Sequence, residues 1–231
     1  MLKISTHFAY LNELPPQETN ALSACIMPVQ FEMGQYIFHL SDPADSLYFV
    51  MSGMVKITYG NPRGDEAPIG FYQAGDIFGH LFLGKYRFRV GSALALSGCY
   101  LGRLAESDFV ALVEQHPRIG LVFLRLFSDY QRETLSRLHA LMHVDARARL
   151  LGALLNFARH LCCTQDDWFQ MPASLNQADI AAMAGLNRTT ASLLINEFRR
   201  DGVLGGRGRT LMVNLLAVRE ILESQGLEIL E

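Results

Sequence analysis

The sequence has no long apolar run. Its apolar stretches, such as the block at 121–124, fall far short of the ~20 residues that a membrane-spanning helix needs. No basic segment followed by an apolar block stands at the N-terminus either, so a cytoplasmic protein with no membrane partner is expected. Cysteine is scarce. Cys25, Cys99, Cys162 and Cys163 form no C-x-x-C pair, and a chain of 231 residues needs no disulfide framework, so they are expected as buried free thiols. A basic excess is missing too: the formal net charge of -3 excludes attraction of the whole chain to nucleic acid, and any DNA contact must come from local charge. There is no G-x-S-x-G, no H-E-x-x-H, no P-loop and no paired carboxylates beside a pocket-like stretch, so no enzyme is expected.

What is present is enough apolar residue, 50% of the chain, to fill two modest cores, and two domains are expected. Residues 29–104 read as short strands between turn signals: Glu32-Met33-Gly34, Ser41-Asp42-Pro43, Gly60-Asn61-Pro62-Arg63-Gly64-Asp65 and Gln73-Ala74-Gly75-Asp76. Many short strands imply a sandwich or barrel. Val55, Ile57 and Tyr59 alternate with Lys56 and Thr58, as in a strand with one wet face, whereas 36–39 and 47–51 read as more buried strands.

Near Ser107, an expected N-cap with Asp108 in the first turn, the pattern changes, and from Pro117 the period is helical. One stripe runs Ile119, Val122, Phe123, Leu126, Tyr130, Thr134, Arg137, Leu141, and a second runs Leu124, Phe127, Leu135, Leu138, Met142. Two apolar stripes mean two buried faces. A helix of about 26 residues, roughly 39 Å long, can then pack on its own domain and on a second copy of itself. Asp145 is expected to cap a further helix through Arg159, with Asp166-Asp167 and Pro172 marking a loop.

Residues 174–198 carry the strongest signal. A capped helix ends at Gly185, which can adopt a left-handed turn, and Asn187 caps a second helix: a helix-turn-helix. Ile180, Ala181, Ala184, Leu186, Ala191, Leu194, Ile195 and Phe198 form its expected core, leaving Arg188, Thr189, Ser192 and Asn196 to face a major groove. Residues 203–213 then read as strand, glycine turn and strand, a wing carrying Arg207 and Arg209. Between Gly185 and Thr210, Arg188, Arg199, Arg200, Arg207 and Arg209 outnumber Glu197 and Asp201, which concentrates positive charge where phosphates would lie.

Four stretches together resemble the CRP/FNR family of bacterial regulators: 42–57, 75–80, the long helix ending near Asp145, and 177–213. The resemblance implies an α+β fold: an N-terminal β-barrel/jelly-roll sensor domain of cyclic-nucleotide-binding type (1–116), a dimerisation helix (117–143) and a C-terminal winged helix-turn-helix (144–231). It also implies a homodimer on a pseudo-palindromic double-stranded operator, with RNA polymerase as a partner. Gln177, Arg188, Thr189, Thr190, Ser192, Asn196, Arg207 and Arg209 are the implied DNA-binding residues.

The family's cyclic-AMP cassette, F-G-E followed by R-S-A, stands here as Phe78-Gly79-His80 and Arg89-Val90-Gly91. Val90 offers a phosphate no donor. Thr134 matches the adenine-touching helix position, yet Leu135 replaces the serine that follows. The expected effector is therefore a small molecule other than cyclic AMP, met by Gly79, His80, Leu81, Phe82, Arg89, Val90, Tyr130 and Thr134, and anionic if Arg87 and Arg89 act together. With only Cys25 near the N-terminus, an iron-sulfur cluster is not expected. Haem-binding members make His80, with His39, Cys99 or a methionine, a second candidate ligand set. Two further readings stay open: a cyclic-nucleotide-dependent regulator of the same family, and a ligand-binding module without DNA activity. Base readout departs as well: Thr189 and Leu193 stand where members reading the common half-sites carry glutamate and arginine, and a leucine cannot hydrogen-bond a guanine edge.

Overall fold

The computed structural model describes residues 8–60, 66–161, 167–207 and 210–224. The chain forms two compact units, Met1–Leu135 and Ser136–Glu231. In the first, a 3-10 turn (Ala9–Glu13) and helix α1 (Pro16–Cys25) precede eight strands: β1 (Met27–Phe31), β2 (Tyr36–Phe38), β3 (Ser46–Ser52), β4 (Met54–Gly60), β5 (Glu66–Gln73), β6 (Ile77–Phe78), β7 (Ser92–Ala95) and β8 (Cys99–Ala105). They make two antiparallel four-stranded sheets, ordered β1-β8-β3-β6 and β2-β7-β4-β5. Among the described residues the sheets do not close, so the sensor domain is the two-sheet form of the expected jelly roll, not a closed barrel.

Strand β3 explains the unbroken apolar run at 47–51. Its side chains alternate between two cores. Leu47, Phe49 and Met51 join Leu22, Ile26, Phe109 and Phe123 on one side. Tyr48 and Val50 join Val55, Phe78, Ala93 and Leu101 between the sheets. With both faces covered, the run from Leu47 to Met51 carries no charged residue. In β4 Val55 is buried and Ile57 half-buried against the core between the sheets, but Thr58 is buried and Tyr59 exposed, the reverse of the expected alternation. The inversion falls where pairing with β5 slips, from Ile57↔Gly70 to Thr58↔Pro68, so that Ile69 is bulged and exposed.

Helix α2 (Glu106–Gln115) begins one residue before the expected cap: Glu106 N–H donates to the Asp45 carbonyl at 2.8 Å, and Ser107 lies in the first turn. Helix α3 (Pro117–His143) has 27 residues and contains the boundary between the units. Its inner face buries Ile119, Val122, Phe123 and Leu126 in the first core. Phe127, placed by its spacing on the outer stripe, packs on the inner side against that core. The outer side exposes Leu121, Leu124, Leu135, Leu138 and Met142.

In the second unit, α4 (Ala146–Leu161) is capped as expected, the Asp145 carboxylate accepting the Ala148 N–H at 2.8 Å. Strand β9 (Trp168–Gln170), helices α5 (Gln177–Met183) and α6 (Arg188–Arg200), strands β10 (Leu204–Gly205) and β11 (Met212–Asn214) and helix α7 (Leu215–Ser224) follow. The three strands form one antiparallel sheet, ordered β10-β11-β9.

The β3–β4 turn is held by Gly53, at φ +90°, where a Cβ would meet the Gly98 carbonyl oxygen at 2.4 Å and Cys99 Cα at 2.8 Å. Gly53→Ala should cost more than ~1–3 kcal/mol, because left-handed strain and backbone overlap add. A chemical-denaturation midpoint equal to that of the parent would show that the turn has another solution.

Candidate nucleic-acid interface and effector site

The helix-turn-helix is built by local chemistry. Asn176 Oδ1 accepts the Ala178 and Asp179 N–H groups, and the Asp179 carboxylate accepts the Asn176 N–H in return, so α5 starts in a capping box. Gly185 turns the chain at φ +62°, and Asn187 Oδ1 accepts the Thr190 N–H at 2.8 Å to start α6. Ile180, Ala181, Ala184, Ala191, Ile195 and Phe198 are buried as expected, whereas Leu186 and Leu194 are only half-buried.

Helix α4 supplies two arginines that the sequence pattern did not single out. Arg149 donates to the carbonyls of Ala184 (3.2 Å) and Val144 (3.1 Å), tying the end of α5 to the end of α3. Arg147 lies over the Phe198 ring at 4.7 Å, pairs with Glu197 and stands 3.9 Å from Asp201. Both acidic residues of the α6 region are thus engaged by one cation from α4. Arg188, Thr189, Asn196, Arg200, Gln177 and Arg207 are exposed, and Ser192 and Thr190 are half-exposed. Arg199 is turned toward the wing, Nη2 to the Thr210 carbonyl at 3.4 Å. Strands β10 and β11 pair Leu204 with Val213 as the wing expectation requires, and Gly206 sits at φ +92°. Arg209, Cys162 and Cys163 lie outside the described residues.

The sensor cassette brings together only part of the expected set. Strand β6 ends at Gly79, at φ +87°, which opens a 3-10 turn at His80–Leu83. Arg89 is 4% exposed and donates to the Gly79 carbonyl (2.8 Å), the Ser46 carbonyl (2.8 Å) and Ser46 Oγ (3.3 Å), with its guanidinium 4.2 Å from the centre of the Phe38 ring. Its Nε is buried without a partner. Arg87 does not join it: that side chain is exposed and pairs with Glu106. The His80 ring stacks on Phe127 (4.5 Å between centroids), with Tyr130 at 5.8 Å, and His80 Nδ1 is buried without a partner. Tyr130 accepts the Ile77 N–H at 3.2 Å, and burial pushes its hydroxyl well above the ordinary tyrosine range. Phe82 is wholly buried against Phe109, as a core residue, while Leu81, Val90 and Thr134 are exposed.

Two of the residues named with His80 as haem ligands have neighbours of their own. His39 stacks on Tyr36 at 4.3 Å, Cys99 Sγ points to the Met54 and Ser97 carbonyls at 3.3 Å, and among the described residues no three His, Cys, Asp or Glu side chains group to hold a metal ion. Cys99 is buried, Cys25 half-buried, and burial pushes both thiols up. Among the described residues no helix is long and apolar enough to cross a membrane.

A two-sheet sensor domain followed along the chain by one long helix and a winged helix-turn-helix defines an effector-responsive DNA-binding regulator. The cyclic nucleotide-binding domain model matches residues 28–116, and the Crp-like helix-turn-helix domain model matches residues 148–221. The chain belongs to the CRP/FNR family, which is made of transcription regulators. It is 25% identical over 199 residues to the CRP-like cAMP-activated global transcriptional regulator of Mycobacterium tuberculosis, covering 86% of this chain and 89% of that one. It is 27% identical over 191 residues to the cyclic AMP receptor protein of Thermus thermophilus, covering 83% and 85%. The structure of the c-di-GMP responsive global regulator CLP of Xanthomonas campestris superposes with a TM-score of 0.73 at 20% identity, covering 86% of this chain and 99% of that one; this likeness concerns the fold.

Burial pushes the His80 imidazole down from 6.5 to about 4. Between those pH values the unfolded chain binds a proton that the folded chain refuses, so stability is complete above about pH 6.5 and falls as the pH drops toward 4. The loss should reach about 3 kcal/mol. His80→Phe keeps an aromatic ring against Phe127 without the titration. Urea midpoints measured from pH 7.5 to 4.5 should fall less steeply in this variant, and parallel curves would place His80 outside the acid response.

Proposed function

We propose that two copies of this chain bind one pseudo-palindromic operator in the cytoplasm, pairing through α3 and inserting one α6 per half-site, under control of a small molecule other than cyclic AMP. The observation that carries this reading is the distribution of charge around α6. Glu197 and Asp201 are drawn to Arg147, while Arg188, Arg200 and Arg207 stand exposed on a chain of net charge -3. That is a local electrostatic footprint for phosphates, carried by α6 and the wing segment that follows it.

The exposed side of α3 supports pairing. Leu121, Leu124, Ser128, Gln131, Leu135, Leu138 and Met142 recur at alternating spacings of three and four and are all exposed, the a/d seam of a two-stranded coiled coil. The two α6 helices of such a pair must lie ~34–36 Å apart to enter successive major grooves. An effector at the cassette would act on this helix through His80, which already stacks on Phe127 of α3. Two buried, unpartnered polar atoms, His80 Nδ1 and Arg89 Nε, support the cassette as the ligand locus. Cyclic AMP is disfavoured because Arg89, its expected phosphate ligand, is bonded to two backbone carbonyls and Val90 supplies no donor. RNA polymerase is the expected protein partner at the promoter.

Selection from genomic DNA followed by footprinting tests the reading; a symmetric protected site is expected, and recovery of none would remove it. Leu135→Asp with Leu138→Asp should halve the sedimenting mass and weaken operator binding at least a hundredfold, because two like charges would enter the seam and half-site cooperation would be lost; a variant that stays dimeric would move the interface elsewhere. Arg188→Ala should lower specific affinity by ~1–3 kcal/mol. Arg207→Ala should instead reduce the slope of log affinity against log salt by about one for each phosphate that is no longer neutralised. Gel shifts across a salt series separate the two, and an unchanged affinity for Arg188→Ala would exclude it from readout.

A further inference from the structure

The buried face of α6 is centred on Ala191, Ile195 and Phe198. At about 100° per residue, the opposite pole of the helix falls between Leu193 and Arg200, with Thr189 and Asn196 beside them. Leu193 is 67% exposed, the one large apolar side chain of α6 exposed to that degree. An exposed leucine by itself means little. At this position it lies on the exposed side of the helix, near Arg200 and on an element that also exposes Arg188.

A leucine can neither bind a phosphate nor hydrogen-bond a base edge. In a major groove it has one favourable partner, the C5 methyl of thymine. The other groups there, N7, O6, O4 and the exocyclic amines, are polar, and covering them with a leucine removes water without replacing its hydrogen bonds. The side chain therefore selects for thymine and against edges that would be left unpaired. We propose that Leu193 is a base-reading residue that recognises a thymine methyl in each half-site, so that the operator differs from one read by hydrogen bonds alone. The proposal rests on the DNA-binding reading above and adds to it the chemistry read at the centre of α6.

The test uses the full-length protein and the symmetric site recovered by genomic selection. Each thymine of a half-site is replaced in turn by deoxyuridine, which removes the methyl and keeps the pairing, and affinities are read by gel shift at one salt concentration. One thymine per half-site should give binding about fourfold weaker, or about fifteenfold when both half-sites are changed, the equivalent of ~0.8 kcal/mol per methyl-sized group. Leu193→Ala should bind the thymine and uracil operators equally, and Leu193→Met, which keeps an apolar side chain there, should retain the preference. Because the side chain is exposed, both variants should unfold at the parent's midpoint. A symmetric site whose thymines all tolerate uracil, or a thymine preference that survives in Leu193→Ala, overturns the proposal. Failure to recover any symmetric site overturns the underlying DNA-binding reading instead.

Discussion

Burial of the inner face of α3 is the constraint on which the sensor domain depends. Ile119, Val122, Phe123 and Leu126 sit in the core with Phe49 and Phe109, and each such side chain contributes about 1.5–3 kcal/mol when withdrawn from water. The helix cannot turn about its axis without pulling them out. Its rotational setting is therefore fixed, and two consequences follow from the 3.6-residue period. Phe127 and Tyr130 are held beneath the cassette turn, and the alternating seam from Leu121 to Met142 is left facing outward. One helix thus carries both the ring that meets the cassette and the surface available for pairing.

Within the cassette, Arg89 matters as much for what it already does as for what it could bind. Its guanidinium bonds to Gly79, 10 residues away in sequence, and to Ser46, 43 residues away, and lies on Phe38. An anion at this place would have to offer more than those carbonyls and the ring together, and would leave the carbonyls in need of new donors. A ligand that engages the unpartnered Nε, or His80 Nδ1, faces no such competition. The buried, neutral imidazole points the same way, since a low-dielectric site disfavours a bare charge.

The parts of this architecture that were legible in the sequence are those decided by neighbours in the chain. Asn176, Asp179, Gly185 and Asn187 cap and turn the helix-turn-helix through bonds spanning at most a few residues, and the apolar run of β3 announced a strand covered on both sides. What was not legible depended on distant partners. The bulge between β4 and β5 exchanges the burial of Thr58 and Tyr59, Phe127 turns inward because His80 awaits it, and Phe82 is claimed by Phe109 rather than by a ligand. Arg89 and Arg87, near neighbours in sequence, part company because their partners Ser46 and Glu106 belong to different elements. Leu193 was visible in the sequence at four residues from Thr189 and three from Asn196. Only the orientation of α6 shows that it stands beside the pole of the exposed face.

An acidic chain that binds a polyanion must separate its charges in space, and the pairing of Arg147 with Glu197 and Asp201 is how this one does it. Both carboxylates lie beside α6, where they would repel phosphate, and a cation from α4 draws them off while its guanidinium packs on Phe198. On the proposed reading, the exposed arginines that remain act over a Debye length of about 8 Å at physiological salt and govern attraction and its salt dependence. A leucine contributes nothing to that attraction. A contact of Leu193 with a base would act only after the arginines have brought the helix into the groove and water has left the interface. On that reading affinity comes from the arginines of α6 and the wing and discrimination from Leu193, whose preference should persist at salt concentrations where the arginine contribution has been largely screened.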